Sequence, residues 1–468
     1  MDHAAWLAQG LDDEDDAREK YRYFMRVDPD MRDFLGPIEE REDALTGRVL
    51  RSRQSRIGMV RNPKPESMRE VQVFLDPLPH IRIENPKDLQ GWYQSKLNDK
   101  PGSRVRPCMT DAILTEPYGG YCTVGCSFCY INSGHRGYRG SGIVTVPLGY
   151  GSHVARQLRS MRTSAAGYFS SFTDPFLPLE DLYHNTEEGV RAFTDSGLPV
   201  FFLSRLSYPD WAIDALRLNK YSYAQKSINT PDPEDWKKLS PGALPLLDHM
   251  EEIRKLRAAG IYVSIQVNPI IAGIVTHDDV ERLFGMLAEV GANHVIVKFV
   301  EANHPWAPAM VERITKRFGD NRAAAFRDLF TENSCGGQKT VQEDYRREGH
   351  TRYRRRATEL GMTYSLCYEY TKRSGVWASM GPEFITSDQC HGHRVPMHVR
   401  PAMGQPFAPL QACPPSGCLS CADDNGGRSR CGSDLLGSAK ALRLGDLRRD
   451  PFKNETPSEP GGGQPPAS

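Results

Sequence analysis

Between about residues 108 and 305, short β-branched or aromatic runs alternate with segments of helical periodicity, a rhythm that restricts the chain to repeated βα units around a parallel sheet. Candidate strands fall at 112–116, 167–172, 199–203, 223–229, 261–268 and 294–300. Between the fourth and fifth of these, Leu246, Leu247, Met250, Ile253 and Leu256 recur at helical spacing and Gly260 supplies a stop, which predicts a helix over 246–259. Six βα units are too few to close an eight-stranded barrel. The expected fold is therefore α/β: an open partial (β/α)6 barrel over 108–305, an N-terminal extension over 1–107, a Cys-rich C-terminal domain over 306–445, and a disordered Pro-, Gly- and Ser-rich tail over 446–468.

In barrels of this kind chemistry gathers at the C-terminal ends of the strands. The first candidate strand runs into PYGGYCTVGCSFCYINSG, which sets Cys122, Cys126 and Cys129 at a C-x3-C-x2-C spacing. Three thiolates can seat three irons of a [4Fe-4S] cube, and because the next cysteine is Cys335, one iron is left open to a small chelating ligand. A structural zinc knot closed by Cys108 or His135 is the other reading of the same thiols, although zinc sites usually separate their cysteine pairs by a longer loop. The second unit ends in a polar turn, Thr173-Asp174-Pro175, whose carboxylate can pair with an ammonium or cap a helix. The third and fourth units end in Ser204-Arg205 and Ser227-Ile228-Asn229, putting Arg205, Ser227 and Asn229 on the same rim, where they can bind a carboxylate and ribose hydroxyls.

In this order the segments resemble the radical S-adenosylmethionine superfamily, and within it the spore photoproduct lyase-like branch. Thr173 and Asp174 fall on the Ser/Thr-Asp of its S/T-D-P-x-x-P-x-E signature, Ser227 and Asn229 on its Ser-x-Asn pair, and Asn268-Pro269-Ile270-Ile271-Ala272-Gly273 on its N/D-P-I-I-P-G turn. The resemblance covers about residues 108–305. It implies S-adenosylmethionine and a [4Fe-4S] cluster as cofactors, with Thr173 and Asp174 near the methionine amino group, and with Asn268 contacting adenine or ribose or simply forming a tight turn. Reductive cleavage of the cofactor would give a 5'-deoxyadenosyl radical that abstracts hydrogen from a nucleic-acid base, a nucleoside or a small metabolite. An electron donor such as flavodoxin or ferredoxin is implied as a partner. Arg205 stands where the branch has lysine, and its planar fork is not geometrically equivalent. Phe172 stands where the lyase has its hydrogen-donating cysteine; Tyr130 is retained after the last cluster cysteine, whereas Phe128 replaces a second tyrosine. Thymine-dimer repair is therefore disfavoured, or needs another donor such as Cys335 or Cys367. Cys367 sits in a strand-like run and either faces the barrel mouth or is a buried small hydrophobe.

A second cysteine set, Cys413, Cys418, Cys421 and Cys431, lies within nineteen residues rich in Pro, Gly and Asp, so a metal would hold this segment together. Zinc and a second iron-sulfur cluster suit the spacing equally, and two disulfides are a third reading. Cys390, His391, His393 and Cys367 are either further ligands or ordinary loop and core residues. An auxiliary cluster here would suit modification of a peptide or protein; zinc, with the arginines at 51, 53, 56 and 61, would suit a non-catalytic nucleic-acid-binding protein. Lys plus Arg and Asp plus Glu are both 59, so no overall basic balance points to nucleic acid. With no apolar run near the length of a membrane helix and no signal-like N-terminal stretch, the expected location is cytoplasmic, without membrane association.

Overall fold

The computed structural model describes residues 36–58, 68–87, 89–92, 112–129, 143–387, 389–411, 431, 433 and 444–448. Its centre is an eight-stranded sheet in which seven strands run parallel: β1 (Ala112–Thr115), β2 (Ala166–Phe169), β3 (Val200–Ser204), β4 (Tyr223–Ser227), β5 (Tyr262–Ile270), β6 (His294–Phe299) and β7 (Thr363–Leu366). Gln90–Trp92 joins the β1 edge antiparallel. The first six parallel strands lie where the βα rhythm puts them. The seventh is a correction, because it comes from the stretch expected to form an appended domain. A short antiparallel sheet and the helices Ala307–Phe318, Asp320–Leu329 and Glu343–Glu359 intervene before β7, and four residues, Thr-Tyr-Ser-Leu, are too few to show a period. The helices Ala307–Phe318 and Asp320–Leu329 are separated at Gly319, whose φ of 78° is readily adopted only by glycine.

The two faces of the sheet differ. Phe169, Val200, Phe202, Val263, Val295 and Val297 face the flanking helices in the main core, where each fully buried Val, Leu or Phe contributes about 1.5–3 kcal/mol. Strand register carries the alternate residues onto the inner face. There Tyr168, Phe201, Tyr223 and Tyr262 form one row, Leu203, Gln225, Ser264, His294 and Thr363 the next, and Ser227, Gln266, Ile296 and Ser365 a third toward the C-terminal ends. The floor is aromatic: Phe201 stacks between Tyr168 and Tyr223 at 4.6 and 4.5 Å. His391 bonds Tyr223 Oη through Nδ1, and His393 stacks on Tyr262 at 4.5 Å. Gly392 makes this plug possible, since a Cβ there would lie 2.3 Å from the His294 ring. His391 and His393 thus cover the end of this sheet face opposite the cysteine loop.

The described part of the N-terminal extension pairs with strands from the region that follows it. Its strands Glu39–Glu42, Val49–Gly58, Met68–Phe74 and His80–Ile83 form a second sheet with Val144–Pro147 and Gly119–Gly120, and that last strand leads directly into Cys122. Arg51 is held bidentately by Asp76 at 2.6 and 3.1 Å, so it is committed within this sheet rather than to a phosphate patch; Arg61 lies outside the described residues. No helix among the described residues is long and apolar enough to cross a membrane.

Candidate active site

The cysteine loop emerges between the two sheets and docks on the turn after the helix Pro233–Leu239. Ser127 N–H donates to Leu239 O (2.9 Å), Gly242 N–H to Val124 O (3.0 Å), and Ser240 Oγ lies 3.4 Å from Cys126 Sγ. A Cβ on Gly242 would meet Thr123 O at 2.2 Å, so glycine permits this approach. Burial pushes the Cys122 thiol well above its usual range, and the neighbouring Asp174 carboxylate and the thiols of Cys126 and Cys129 add to the shift. Three thiols and one carboxylate therefore share one electrostatic neighbourhood, a poor arrangement for free thiolates and a suitable one for thiolates bound to cationic iron. Among the described residues no group of three His, Cys, Asp or Glu converges as ligands of a single ion would. A cube binds each thiolate to a separate iron and does not require that convergence.

Asp174 is buried and lies at the centre of the rim. It accepts from Ser204 Oγ (2.9 and 3.0 Å), Arg205 N–H (2.8 Å) and Phe176 N–H (3.1 Å). Burial raises its pKa, while these donors and the Lys226 ammonium draw it back. Thr173 Oγ1 is turned toward Tyr118 O (3.3 Å) and Ser170 Oγ (3.3 Å), in the same turn. Arg205 sends Nη2 to Asn268 O (2.9 Å) and Nη1 to Ser240 Oγ (3.3 Å), with its guanidinium over Phe128 of the cysteine loop and Trp236. Ser227 Oγ reaches Asn268 O (3.4 Å), and Asn229 Nδ2 donates to Pro269 O (3.0 Å). The structure thus brings Cys122, Cys126, Cys129, Thr173, Asp174, Arg205, Ser227, Asn229 and Asn268 to one rim. Cys367 follows β7 on this same end, its N–H continuing the ladder to Val297 O (3.0 Å).

Tyr130, Cys413, Cys418 and Cys421 lie outside the described residues. Cys431 is half-buried against the main core.

The buried polar atoms of this region that make no hydrogen bond among the described residues include Thr123 Oγ1, inside the cysteine loop, and Asn229 Oδ1. Leaving such groups dry costs about 1–3 kcal/mol each, so a bound polar group is the natural partner for both. A cluster at the thiols and a cofactor with amino, carboxylate and hydroxyl groups suit these donors and acceptors.

Residues that the sequence reading missed hold the rim in place. Glu116 accepts from Ser170 Oγ (2.6 Å), Ser171 N–H (2.8 Å), Ser171 Oγ (2.7 Å) and Phe172 N–H (3.0 Å), fixing the turn that leads to Asp174. Glu252, on the helix Leu246–Ala258, pairs with fully buried Lys226 and accepts from Ser207 Oγ (2.8 Å) and Tyr208 N–H (2.6 Å). Lys226 Nζ also donates to Leu206 O (2.6 Å), so the pair braces the loop that presents Arg205.

No protein-family model matches the chain. A curated relative from Pseudomonas phage M6, named Radical SAM Nalpha-GlyT isomerase, is 61% identical over 474 residues, covering 99% of this chain and 98% of the relative. Among solved structures, spore photoproduct lyase complexed with dinucleoside spore photoproduct is similar at a TM-score of 0.43 and 16% identity over 54% of this chain and 75% of that one. SuiB of Streptococcus suis bound to S-adenosylmethionine is similar at 0.34 and 11% over 53% and 48%. Both structural likenesses are weak and bear no weight; the phage relative does.

Proposed function

Because the chain belongs to the radical S-adenosylmethionine enzymes, we propose that it is a radical isomerase acting on a substrate of the Nα-GlyT kind, which we read as a glycyl unit attached through its α-nitrogen to a nucleoside. The observation that carries the reading is the gathering of three cysteines, Asp174, Arg205 and Asn229 on one rim, with Thr123 Oγ1 and Asn229 Oδ1 buried beside them and without a hydrogen-bond partner among the described residues. Cys122, Cys126 and Cys129 would hold a [4Fe-4S] cluster. Asp174 would take the methionine ammonium, with Arg205, Ser227, Asn229 and Asn268 on the carboxylate and ribose side. When bound and reduced, these cofactors supply a 5'-deoxyadenosyl radical that takes one hydrogen atom from the substrate.

An isomerisation neither gains nor loses hydrogen, so the atom taken must be replaced. Phe172 cannot replace it. Cys367 can: period two along β7 puts residue 367 on the same face as Ser365, which lies beside inward-facing His294 at 2.9 Å. The Cys367 Sγ–H bond gives its hydrogen atom to the product radical, and the thiyl regains one electron and one proton from the reductant and solvent. That role asks for an electron-donor protein of the flavodoxin or ferredoxin kind. Tyr130 is the other candidate in this relay.

The test is to incubate the reduced enzyme and S-adenosylmethionine with the glycyl compound deuterated at its α-carbon. Deuterium should appear in 5'-deoxyadenosine together with an isomer in which one deuterium has been replaced by hydrogen. Release of unlabelled 5'-deoxyadenosine with no isomer would sink the reading.

A further inference from the structure

The cofactor groups above lie at or just beyond the ends of β2, β3 and β4 and near the end of β5. The opposite side of the mouth, at the ends of β6 and β7, carries an ion pair that none of them uses. Lys298 Nζ lies 2.7 Å from Glu301 Oε2, and the two side chains are only 14% and 6% exposed. Lys298 is two residues beyond Ile296 and four beyond His294, so it faces the barrel interior, one layer above Ile296. Cys367 stands in the same relation to Ser365 on the neighbouring strand. The ammonium also sits 5.2 Å from the ring of Tyr368, a residue held at φ 53°, in the left-handed region that bulky side chains rarely adopt. A strained residue directly after Cys367, with its ring against a cation at the open end of a barrel, is the kind of feature that functional sites retain. A largely buried ion pair is also a poor stabilising device, because the loss of hydration offsets most of the attraction.

We propose that Lys298 and Glu301 are the recognition site for the amino-acid end of the substrate. An N-linked glycyl unit carries a carboxylate and a protonated secondary amine two bonds apart, the same pair of opposite charges that Lys298 and Glu301 present to each other. Lys298 Nζ takes the carboxylate and Glu301 the ammonium, and the α-carbon between them is held beside Cys367. The site chooses substrates with a free carboxylate. This inference rests on the glycyl reading of the substrate given above.

The test compares KM for the glycyl compound with KM for its carboxamide, which removes the negative charge and keeps the shape. Wild type, Lys298→Arg, Lys298→Met and Glu301→Gln are each reconstituted and matched by iron content. A charge-assisted contact distinguishes the two compounds by about tenfold or more in wild type. Lys298→Arg keeps this preference, Lys298→Met brings the ratio near one, and Glu301→Gln raises both KM values while keeping the ratio. Equal KM values for the two compounds in wild type would overturn the proposal without any variant being needed. So would a Lys298→Met enzyme that keeps the wild-type ratio, since a structural brace would not read the carboxylate. If wild type converts neither compound, the glycyl reading itself fails and this site falls with it; conversion of both at one KM removes only the site.

Discussion

Replacing Asp174 by Asn keeps its shape and removes its charge, and the contacts of Asp174 say what should follow. One carboxylate oxygen accepts from Phe176 N–H at 3.1 Å and the other from Arg205 N–H at 2.8 Å, while Ser204 Oγ touches both. An amide has one acceptor oxygen. Whichever way it turns, its NH2 group faces a backbone N–H that cannot rotate away. That leaves one buried donor without an acceptor, at about 1–3 kcal/mol against folding. Losing the anion costs a further contact: a hydrogen bond to a charged partner is worth about 1.5–3 kcal/mol, which weakens S-adenosylmethionine binding by about 10- to 150-fold. Equilibrium binding of labelled S-adenosylmethionine to anaerobically reconstituted enzyme measures this, with iron content showing that the cluster is retained. An Asp174→Asn protein with full iron and an unchanged dissociation constant would refute the assignment of Asp174 to the ammonium.

Cys126→Ala should lose most cluster iron and release no 5'-deoxyadenosine, because a cube held by two thiolates is poorly retained; unchanged release would reject the three-cysteine site. Glu369 gives the expected acid dependence. Burial alone would raise its pKa, but the His350 ring and the Arg346 guanidinium, 2.7 Å away, hold it down to about 2. A carboxyl depressed from 4.5 to about 2 contributes about 3 kcal/mol that is fully present above pH 4.5 and is lost as the pH falls toward 2. The stability gap between wild type and Glu369→Gln in urea should therefore narrow on going from pH 6 to pH 3, and a gap independent of pH would contradict the pairing.

What the sequence made legible follows from where the partners lie. Strands β1 to β6 are visible as short β-branched or aromatic runs set between helical stretches, and the helix at Leu246–Ala258 because its buried residues repeat at its own period. The rim residues Asp174, Ser227 and Asn229 could be read because strand ends follow directly from strands. Glu116 could not be read as a brace, since the donors it gathers are 54 to 56 residues away. Glu252 reads locally as one more charge on an exposed helix face, and only the fold brings Lys226 to it from 26 residues away. Strand β7 escaped for the opposite reason: its partner β6 is plain, but the insertion between them hides that they are neighbours in the sheet.

That seventh strand changes the chemistry the rim can support. With six strands, the side of the mouth next to β6 would be an open edge, and Cys367 would belong to a separate domain. With β7 paired to β6, the cysteine, Lys298 and Glu301 become part of the same rim as Asp174, on the far side of the cofactor groups in the strand order. A donor placed just before Asp174, at the position of Phe172, would return hydrogen from the cofactor side. A donor at the end of β7 would return it from the opposite side of the mouth, so the atom that loses hydrogen and the atom that regains it need not be the same. An isomerisation, in which the radical moves within the substrate before it is quenched, has a use for that separation.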